Sequence, residues 1–494
     1  MTTIKVEKLN EVYLYVYSSD MGVESELSDY FTYEYPGAKF TPKYRAKLWD
    51  GKVYLYSAIR KTLYCGLYDY LVKFCEANGY ELEHVNEVIS TTEIEYDQVD
   101  EFAQSLALHA RGVPIDIRDY QLDAIHTGLR DHRGVLLSPT GSGKSLIIYT
   151  MCRWHLEEGR KVIVVVPSTA LVEQMYADFE DYSTHNQWDV EHHCQKLYSG
   201  FTKEFTSGIL FTTWQSVWQL PGAWFNQFDV IIGDEAHQFK AKSLTTIMEK
   251  LTHVKHRIGT TGSLDDKKVN RLVLEGIFGR VYRVTTTKRL QDEGRLAGLQ
   301  ITSLLLKHPE DVRKAHSKME YDVEVDYIVG CEKRNKFIRN LSLICKGNTL
   351  VLFQFVEKHG EPLYEMIKSK AGDRPVYIIH GGVNVKEREA IRRKLATESN
   401  AIVVSSYGTM STGINIPSIE NIIFASPSKS VIRVLQSVGR GLRLNTGKSH
   451  CNLYDLTDDL HWKGWKNHTL KHGADRYKIY AGEQFTVKLT EINL

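Results

Sequence analysis

The sequence predicts an α/β protein: two doubly wound parallel-sheet domains, preceded by a small α+β domain. Three observations carry this expectation. Past residue 113 the chain repeats short β-branched apolar runs, "GVLLS", "KVIVVVP", "GILFTT" and "DVIIGDE", then "TLVLFQF", "VYIIH", "AIVVSSY", "NIIFASP" and "NLYDL". Runs this continuous mark strands buried on both faces of a parallel sheet. Helical patterns lie between them, such as "SLIIYTMCRWHLEEG", which ends on Gly159, a natural left-handed cap. The alternation comes in two blocks, parted at roughly 285–345, where "KHPEDVRKAHSKMEYDVEV" interrupts the strand rhythm. The expected domains are 1–112, 113–297 and 298–494.

Before residue 112 the pattern is different. Alternating stretches "VYLYVY" and "KVYLYSAI" read as strands and "LYDYLVKFCEANGY" as a helix. The 494 residues are 42% hydrophobic and 25% charged with a net charge of +1, so any nucleic-acid contact has to come from local patches. Seven scattered cysteines without a CxxC pair imply no disulfide framework. The segment "HNQWDVEHHC" lacks a second ligand pair at zinc spacing and is expected to be a polar loop. "MTTIKVEKLNEVYLYVY" has no signal pattern, and no apolar run approaches about 18 residues, so the expectation is neither export nor a membrane span.

"GVLLSPTGSGKSLIIYT" is a strand, a glycine-bearing loop and a helix beginning at Lys144 or Ser145, the pattern of a phosphate-binding P-loop. Thr140, Gly141, Ser142 and Gly143 form the cradle, whose inward N–H groups and helix terminus suit phosphate oxygens. Lys144 is expected on the β- and γ-phosphates and Ser145 on magnesium. The strict pattern has glycine at position 138, where this chain has serine. Ninety residues on, "FDVIIGDEAH" delivers Asp234 and Glu235 at the carboxyl end of a buried strand, where open α/β sheets bind ligands. Asp234 is expected to hold magnesium through its water shell, and Glu235 to orient and deprotonate the attacking water. In "IRDYQLDAI", Arg118 and Gln121 precede the first strand, where an amide reads adenine's edge and a guanidinium stacks on it; an ordinary amphipathic helix start fits the same residues.

In the second block, "SVIRVLQSVGRGLR" spaces Gln436, Arg440 and Arg443 on one helix face. Gly439 and Gly441 within it each cost about 1 kcal/mol relative to alanine, which points to a close approach to the backbone. Arginine's permanent charge suits a γ-phosphate in transit. A P-loop in one block and an arginine stripe in the other imply a two-domain motor driven by ATP.

The ordered set "IRDYQ", "SPTGSGKS", "VPSTALVEQ", "FTTWQSV", "DEAH", "TTGSL", "HGG", "SSYGTMSTGINIP" and "QSVGRGLR" resembles the motifs of superfamily two helicases across residues 117–443. The resemblance implies two RecA-like domains, ATP and magnesium as cofactors, and translocation typically 3′ to 5′. It assigns Lys144 and Ser145 to nucleotide, Asp234 and Glu235 to metal and catalysis, and Arg440 and Arg443 to trans-acting fingers. Thr261, Gly262 and Ser263 match the motif that links hydrolysis to domain movement. Ser168, Thr213, Trp214, Gln215, Gly381, Ser405 and Thr412 fall in motifs that grip a phosphate backbone. Asn415 departs from the family's usual aspartate.

Both ends of the chain, "FTPKYRAKLWDGKVYLY" and "LKHGADRYKIYAGEQF", look like those of phage recombination helicases. That likeness implies branch migration on Holliday junctions, stalled forks, D-loops and R-loops. The implied partners are branched, single-stranded and double-stranded DNA and RNA–DNA hybrids, with recombination or single-strand-binding proteins as candidates. The implied location is cytoplasmic, the host's cytoplasm for a phage-encoded chain. An RNA helicase and an ATP-gated DNA-binding scaffold stand as alternatives.

The first of those ends carries its own signal. Residues 1–112 hold eleven Lys and Arg against eighteen Asp and Glu, a balance of −7, while residues 39–61 hold seven against Asp50 alone, +6. Lys43, Arg45, Lys47 and Lys52, interleaved with Trp49 and other rings, are the expected DNA contacts, while Trp49 beside "DG" equally suits the anchor of a hairpin turn.

Overall fold

The computed structural model describes residues 2–239, 241–264, 267–411, 419–426 and 450–494. The chain divides into two compact units, Met1–Ser138 with Ser142–Thr285, and Pro139–Gly141 with Thr286–Leu494.

The first unit begins with a five-stranded sheet in the order Tyr56–Ser57, Thr62–Tyr64, Tyr13–Ser18, Thr3–Lys8, Glu81–His84. Period-2 burial along Thr3–Lys8 and Tyr13–Ser18 turns Ile4, Val6, Leu14 and Val16 onto the helices Met21–Tyr30 and Tyr68–Asn78. The predicted strand "KVYLYSAI" is broken into Lys52–Tyr54 and Tyr56–Ser57. Lys52–Tyr54 pairs antiparallel with Thr32–Glu34, so the basic stretch lies within a long excursion between two short strands and is not a tight hairpin.

That small sheet is welded to the sheet that follows. Leu272, from helix Lys268–Phe278, is buried within its core. The hydroxyls of Tyr13 and Tyr64 both donate to Glu249 Oε1, at 3.0 and 2.7 Å, and that of Tyr70 to Glu275 Oε2 at 2.6 Å. Gly66 passes so close to helix Lys268–Phe278 that a Cβ there would stand 1.9 Å from the Glu275 carbonyl oxygen.

The larger sheet of this unit is wholly parallel, in the order Cys194–Leu197, Ile209–Thr213, Val162–Val166, Val230–Asp234, His256–Thr261, Arg133–Leu137, Val281–Arg283. Val162–Val166, Ile209–Thr213 and Val230–Asp234 are buried at every residue, as their unbroken apolar runs require. Helix Lys144–Glu157 ends ahead of Gly159, whose φ of +73° supplies the left-handed turn. In "HNQWDVEHHC", Asp189 caps the short helix Val190–His193 and Trp188 stacks on His193, ring centroids 5.1 Å apart.

The second unit holds another wholly parallel seven-stranded sheet: Val376–Ile379, Ile402–Ser406, Asn348–Phe353, Ile419–Phe424, His450–Asp459, Gly298–Lys307, Val487–Asn493. The carboxyl-terminal tail is helix His468–Gly482 followed by an edge strand, Val487–Asn493, laid against Gly298–Lys307. A buried ion pair fastens the tail helix, Arg476 Nε donating to both oxygens of Asp455, and a second pins helix Glu332–Ile344 to the same strand, Arg334 Nε donating to both oxygens of Asp458, all at 2.9 Å. No described helix is long and apolar enough to cross a membrane.

At the amino-terminal edge of the first parallel sheet, His132, His155 and His256 pack ring to ring, with His256 at 4.6 Å from each of the others. Burial, helped by Lys255 and Arg160, lowers their pKa values to about 4, 3 and 2, with Glu11 opposing at His132. Thr92 Oγ1 faces His132 Nε2 at 2.5 Å and Arg160 Nη1 faces His155 Nδ1 at 3.2 Å. These folded values lie below the unfolded one of about 6.5, so their contribution is complete above pH 6.5 and is lost as pH falls toward the folded values. Each histidine held neutral in that window removes about 1.4 kcal/mol per pH unit. The thermal midpoint should therefore hold between pH 8 and 7 and fall steeply below 6.5; a midpoint level to pH 5 would refute this account. Substituting Gly66 by Val should lower stability by about 1–3 kcal/mol by overpacking, read from urea unfolding of the full chain.

Candidate nucleotide site and nucleic-acid interface

Five parallel strands deliver the predicted residues to one edge of the first sheet. Arg133–Leu137 runs into the P-loop, Val230–Asp234 into Glu235 and His256–Thr261 into Gly262; Val162–Val166 and Ile209–Thr213 lead to Ser168 and Trp214. Gly141 and Gly143 both have φ of +85°, turning the loop as expected, and the helix starts at Lys144. A side chain at Gly143 would collide with Gln121, its Cβ 2.2 Å from Nε2. Gln121 itself is spanned between two backbone groups: its Nε2 donates to the Ser142 carbonyl at 2.7 Å and its Oε1 accepts from the Arg118 N–H at 3.0 Å. Arg118 Nη1 donates to the Tyr120 hydroxyl at 2.6 Å. Gln121 thus braces the P-loop, its amide engaged at both ends and not left open to an adenine edge, while the Arg118 guanidinium holds Tyr120. Thr140 sits half-buried in the loop.

Ser138 shows how a departure from the pattern is accommodated. It is fully buried, its hydroxyl lies 2.5 Å from Ser142 Oγ, and its N–H donates to the Thr261 carbonyl at 2.8 Å. The hydroxyl closes the loop where glycine would leave it open.

Asp234 is 7% exposed and accepts a 2.7 Å hydrogen bond from Thr260. Burial pushes its carboxyl above the usual range; Lys144 pulls it down and Glu235 pushes it up. An acid in that position is held ionised by added positive charge, which is what a divalent cation supplies. Glu235 has φ of +51°, a left-handed conformation that a non-glycine residue keeps only where its surroundings enforce it. Its Oε1 lies 3.8 Å from Lys144 Nζ and its Oε2 3.2 Å from His237 Nδ1. His237 Nδ1 is also 3.0 Å from Thr261 Oγ1, whose hydroxyl donates to the Ser263 carbonyl at 2.9 Å. The lysine, both acids and the "TTGS" turn therefore form one contact chain. Sequence reasoning missed Thr260; its signal is the strand register that sets it beside Asp234.

Along the same edge, Ser168 caps helix Thr169–Ser183, Thr213 Oγ1 meets Ser216 Oγ at 2.9 Å, and exposed Gln215 donates to the Pro167 carbonyl at 3.4 Å, with Trp214 half-buried beside it. In the second unit Gly381 is exposed just past Val376–Ile379. Ser405 is fully buried, its hydroxyl donating to the Ile379 carbonyl at 3.0 Å, so it braces a strand pair. Thr412, Asn415, Gln436, Arg440 and Arg443 lie outside the described residues.

In the basic excursion Lys43, Arg45, Lys47 and Lys52 are all exposed, and so are Phe40, Tyr44 and Leu48, at 68, 41 and 80%. Pro42–Arg45 forms one helical turn capped by Thr41. Trp49 is an anchor: its indole N–H donates to the Lys52 carbonyl at 2.8 Å and its ring meets Tyr35 edge-on. Gly51, with φ of +83°, packs against the Tyr44 ring and closes the excursion. The cations and the outer rings are left to solvent while the tryptophan holds the loop together.

Three protein families match the chain: "Type III restriction enzyme, res subunit" over residues 114–265, "Helicase conserved C-terminal domain" over 332–445 and "DNA helicase UvsW, N-terminal" over 3–84. The "ATP-dependent DNA helicase uvsW" of Enterobacteria phage T4 is 32% identical over 95% of each chain. The crystal structure of T4 UvsW aligns over 99% of both chains at 30% identity with a TM-score of 0.53. The "DNA 3'-5' translocase XPB2" of Sulfurisphaera tokodaii is 21% identical over 67% of this chain and 79% of its own. With two RecA-like parallel sheets, a P-loop facing an acid pair and a relative matched from end to end, the chain belongs to the UvsW family of ATP-dependent DNA helicases, enzymes that hydrolyse ATP.

Proposed function

We propose that this helicase moves 3′ to 5′ on DNA and remodels branched substrates: four-way junctions, stalled forks, D-loops and R-loops, in phage recombination, replication and repair within the host cytoplasm. The polarity is supported by the motif set and by the name of the archaeal relative, a 3′-to-5′ DNA translocase. The observation that carries the reading is the single sheet edge shared by Lys144, Asp234 and Glu235 with Ser168 and Gln215, joined in the same unit to a domain bearing an exposed basic loop.

In this mechanism the P-loop N–H groups and Lys144 bind the phosphates. Glu235 takes a proton from the attacking water, its carboxylate oriented by His237 and Lys144. Ser145 and Asp234 would hold magnesium, which when bound neutralises phosphate charge. Arg440 and Arg443, with Gln436 on the same stripe, are the finger candidates. Gln121 supports the nucleotide loop; Ser168, Thr213, Trp214 and Gln215 are the backbone-gripping candidates of the first unit, and Gly381 is that of the second. Lys43, Arg45, Lys47 and Lys52 grip the phosphates of a duplex arm.

Glu235→Gln should keep nucleotide binding but lower kcat for ATP by about 10²- to 10⁴-fold and abolish unwinding; strand separation at the native rate would sink the motor reading. Replacing Lys43, Arg45, Lys47 and Lys52 together by alanine should weaken four-way-junction binding. The slope of log affinity against log salt should flatten by about 0.9 for each phosphate no longer neutralised. Identical binding at every salt concentration would remove the loop from the DNA path. Matched DNA, RNA and hybrid junctions in the unwinding assay separate DNA remodelling from an RNA helicase.

A further inference from the structure

Ser145 stands at the start of helix Lys144–Glu157, and its hydroxyl lies 2.8 Å from the hydroxyl of Tyr182. Tyr182 is near the far end of helix Thr169–Ser183, the helix that Ser168 caps. Side chains on a helix tilt toward its amino terminus, so the phenol reaches back toward the sheet edge that holds the P-loop. Its ring is set edge-on against Tyr149, centroids 5.5 Å apart. Tyr149 is itself clamped: its hydroxyl lies 2.9 Å from Ser183 Oγ and accepts from Arg153 Nη1 at 2.7 Å and Asn186 Nδ2 at 3.3 Å. The Tyr182 oxygen is thereby fixed on the Ser145 side of the loop.

A serine hydroxyl that ligates a divalent cation does so through an oxygen lone pair, and its proton must then be taken by an acceptor elsewhere. Unsupported, the hydroxyl rotates freely and its proton spends time where the metal belongs. A neutral phenol oxygen at 2.8 Å is such an acceptor.

We propose that Tyr182 is a positioning residue for the metal of the nucleotide site, its oxygen accepting the Ser145 proton and turning the serine lone pair toward a divalent cation. This rests on the reading of Ser145 as a magnesium ligand. In this role Tyr182 acts through the serine. Its effect falls on the metal dependence of nucleotide binding and not on the nucleotide alone.

The test uses the full chain as wild type, Tyr182→Phe and Ser145→Ala, each checked for an unchanged thermal midpoint. Equilibrium binding of a fluorescent ADP analogue is measured in EDTA and across a magnesium titration. Tyr182→Phe should match wild type in EDTA and need about three- to tenfold more magnesium for half-saturation, the size expected for one lost hydrogen bond. Ser145→Ala should shift the magnesium midpoint at least as far. Equal weakening in EDTA and in magnesium makes Tyr182 a mere packing residue and overturns the proposal. A magnesium midpoint that moves in Ser145→Ala and not in Tyr182→Phe also overturns it, while leaving the serine's role intact. No shift in either variant overturns both. Substituting manganese and recording its electron paramagnetic resonance spectrum in the nucleotide complex gives a second readout: an altered signal in Tyr182→Phe supports the proposal and an identical one counts against it.

Discussion

The candidate nucleotide site depends on one costly arrangement, a carboxylate kept out of water at the end of a strand buried on both sides. Asp234 ends Val230–Asp234, and the parallel neighbours that bury the strand also bury its last side chain. A desolvated acid must be compensated by hydrogen bonds and nearby positive charge, or it takes up a proton. The compensating groups come from separate elements: Thr260 from the adjacent strand, Lys144 from the helix start after the P-loop and, at Glu235, His237 from the following turn. The strained φ of Glu235 fits the same picture, because the chain must turn at once to set two adjacent acids on different targets.

The second unit solves a similar problem with permanent pairs. Arg334 against Asp458 and Arg476 against Asp455 are almost wholly buried, and each ties a helix to strand His450–Asp459. Such pairs add little net stability over apolar packing, yet removing either partner strands the other charge. They pin helices Glu332–Ile344 and His468–Gly482 to one register against the sheet.

Much of this was legible in the sequence because buried parallel strands leave continuous apolar runs, and each of the nine quoted runs contains strand residues. The turn at Gly141 and Gly143, the helix start at Lys144 and the strand ending at Asp234 were readable because glycines and an apolar run mark them locally. Val487–Asn493 was not legible as a strand, since an edge position exposes much of "VKLTEIN" and dilutes its pattern. The turn expected at "WDG" is present, but the hairpin that it closes is a long one. Asp50 and Gly51 do close a turn, but over a pairing that begins with Thr32–Glu34, a long-range partner that local composition does not encode. Thr260 and Tyr182 escaped for a related reason, and Ser138 showed as a departure without its partner Ser142: hydroxyl residues are common, and only the register of neighbouring elements decides which of them meet a partner.

The seam between the small amino-terminal sheet and the parallel sheet has a consequence for how such a protein diversifies. Its core counts Leu272 among its own residues, Gly66 leaves no room for a side chain, and three tyrosines spend their hydroxyls on Glu249 and Glu275. A domain joined in this way is not an exchangeable cassette, because swapping it would leave a hole on one side and orphaned acids on the other. Change is left to segments that the seam does not use, and the excursion between Glu34 and Lys52 is one of them. That loop can be rewritten residue by residue while the join behind it stays as it is.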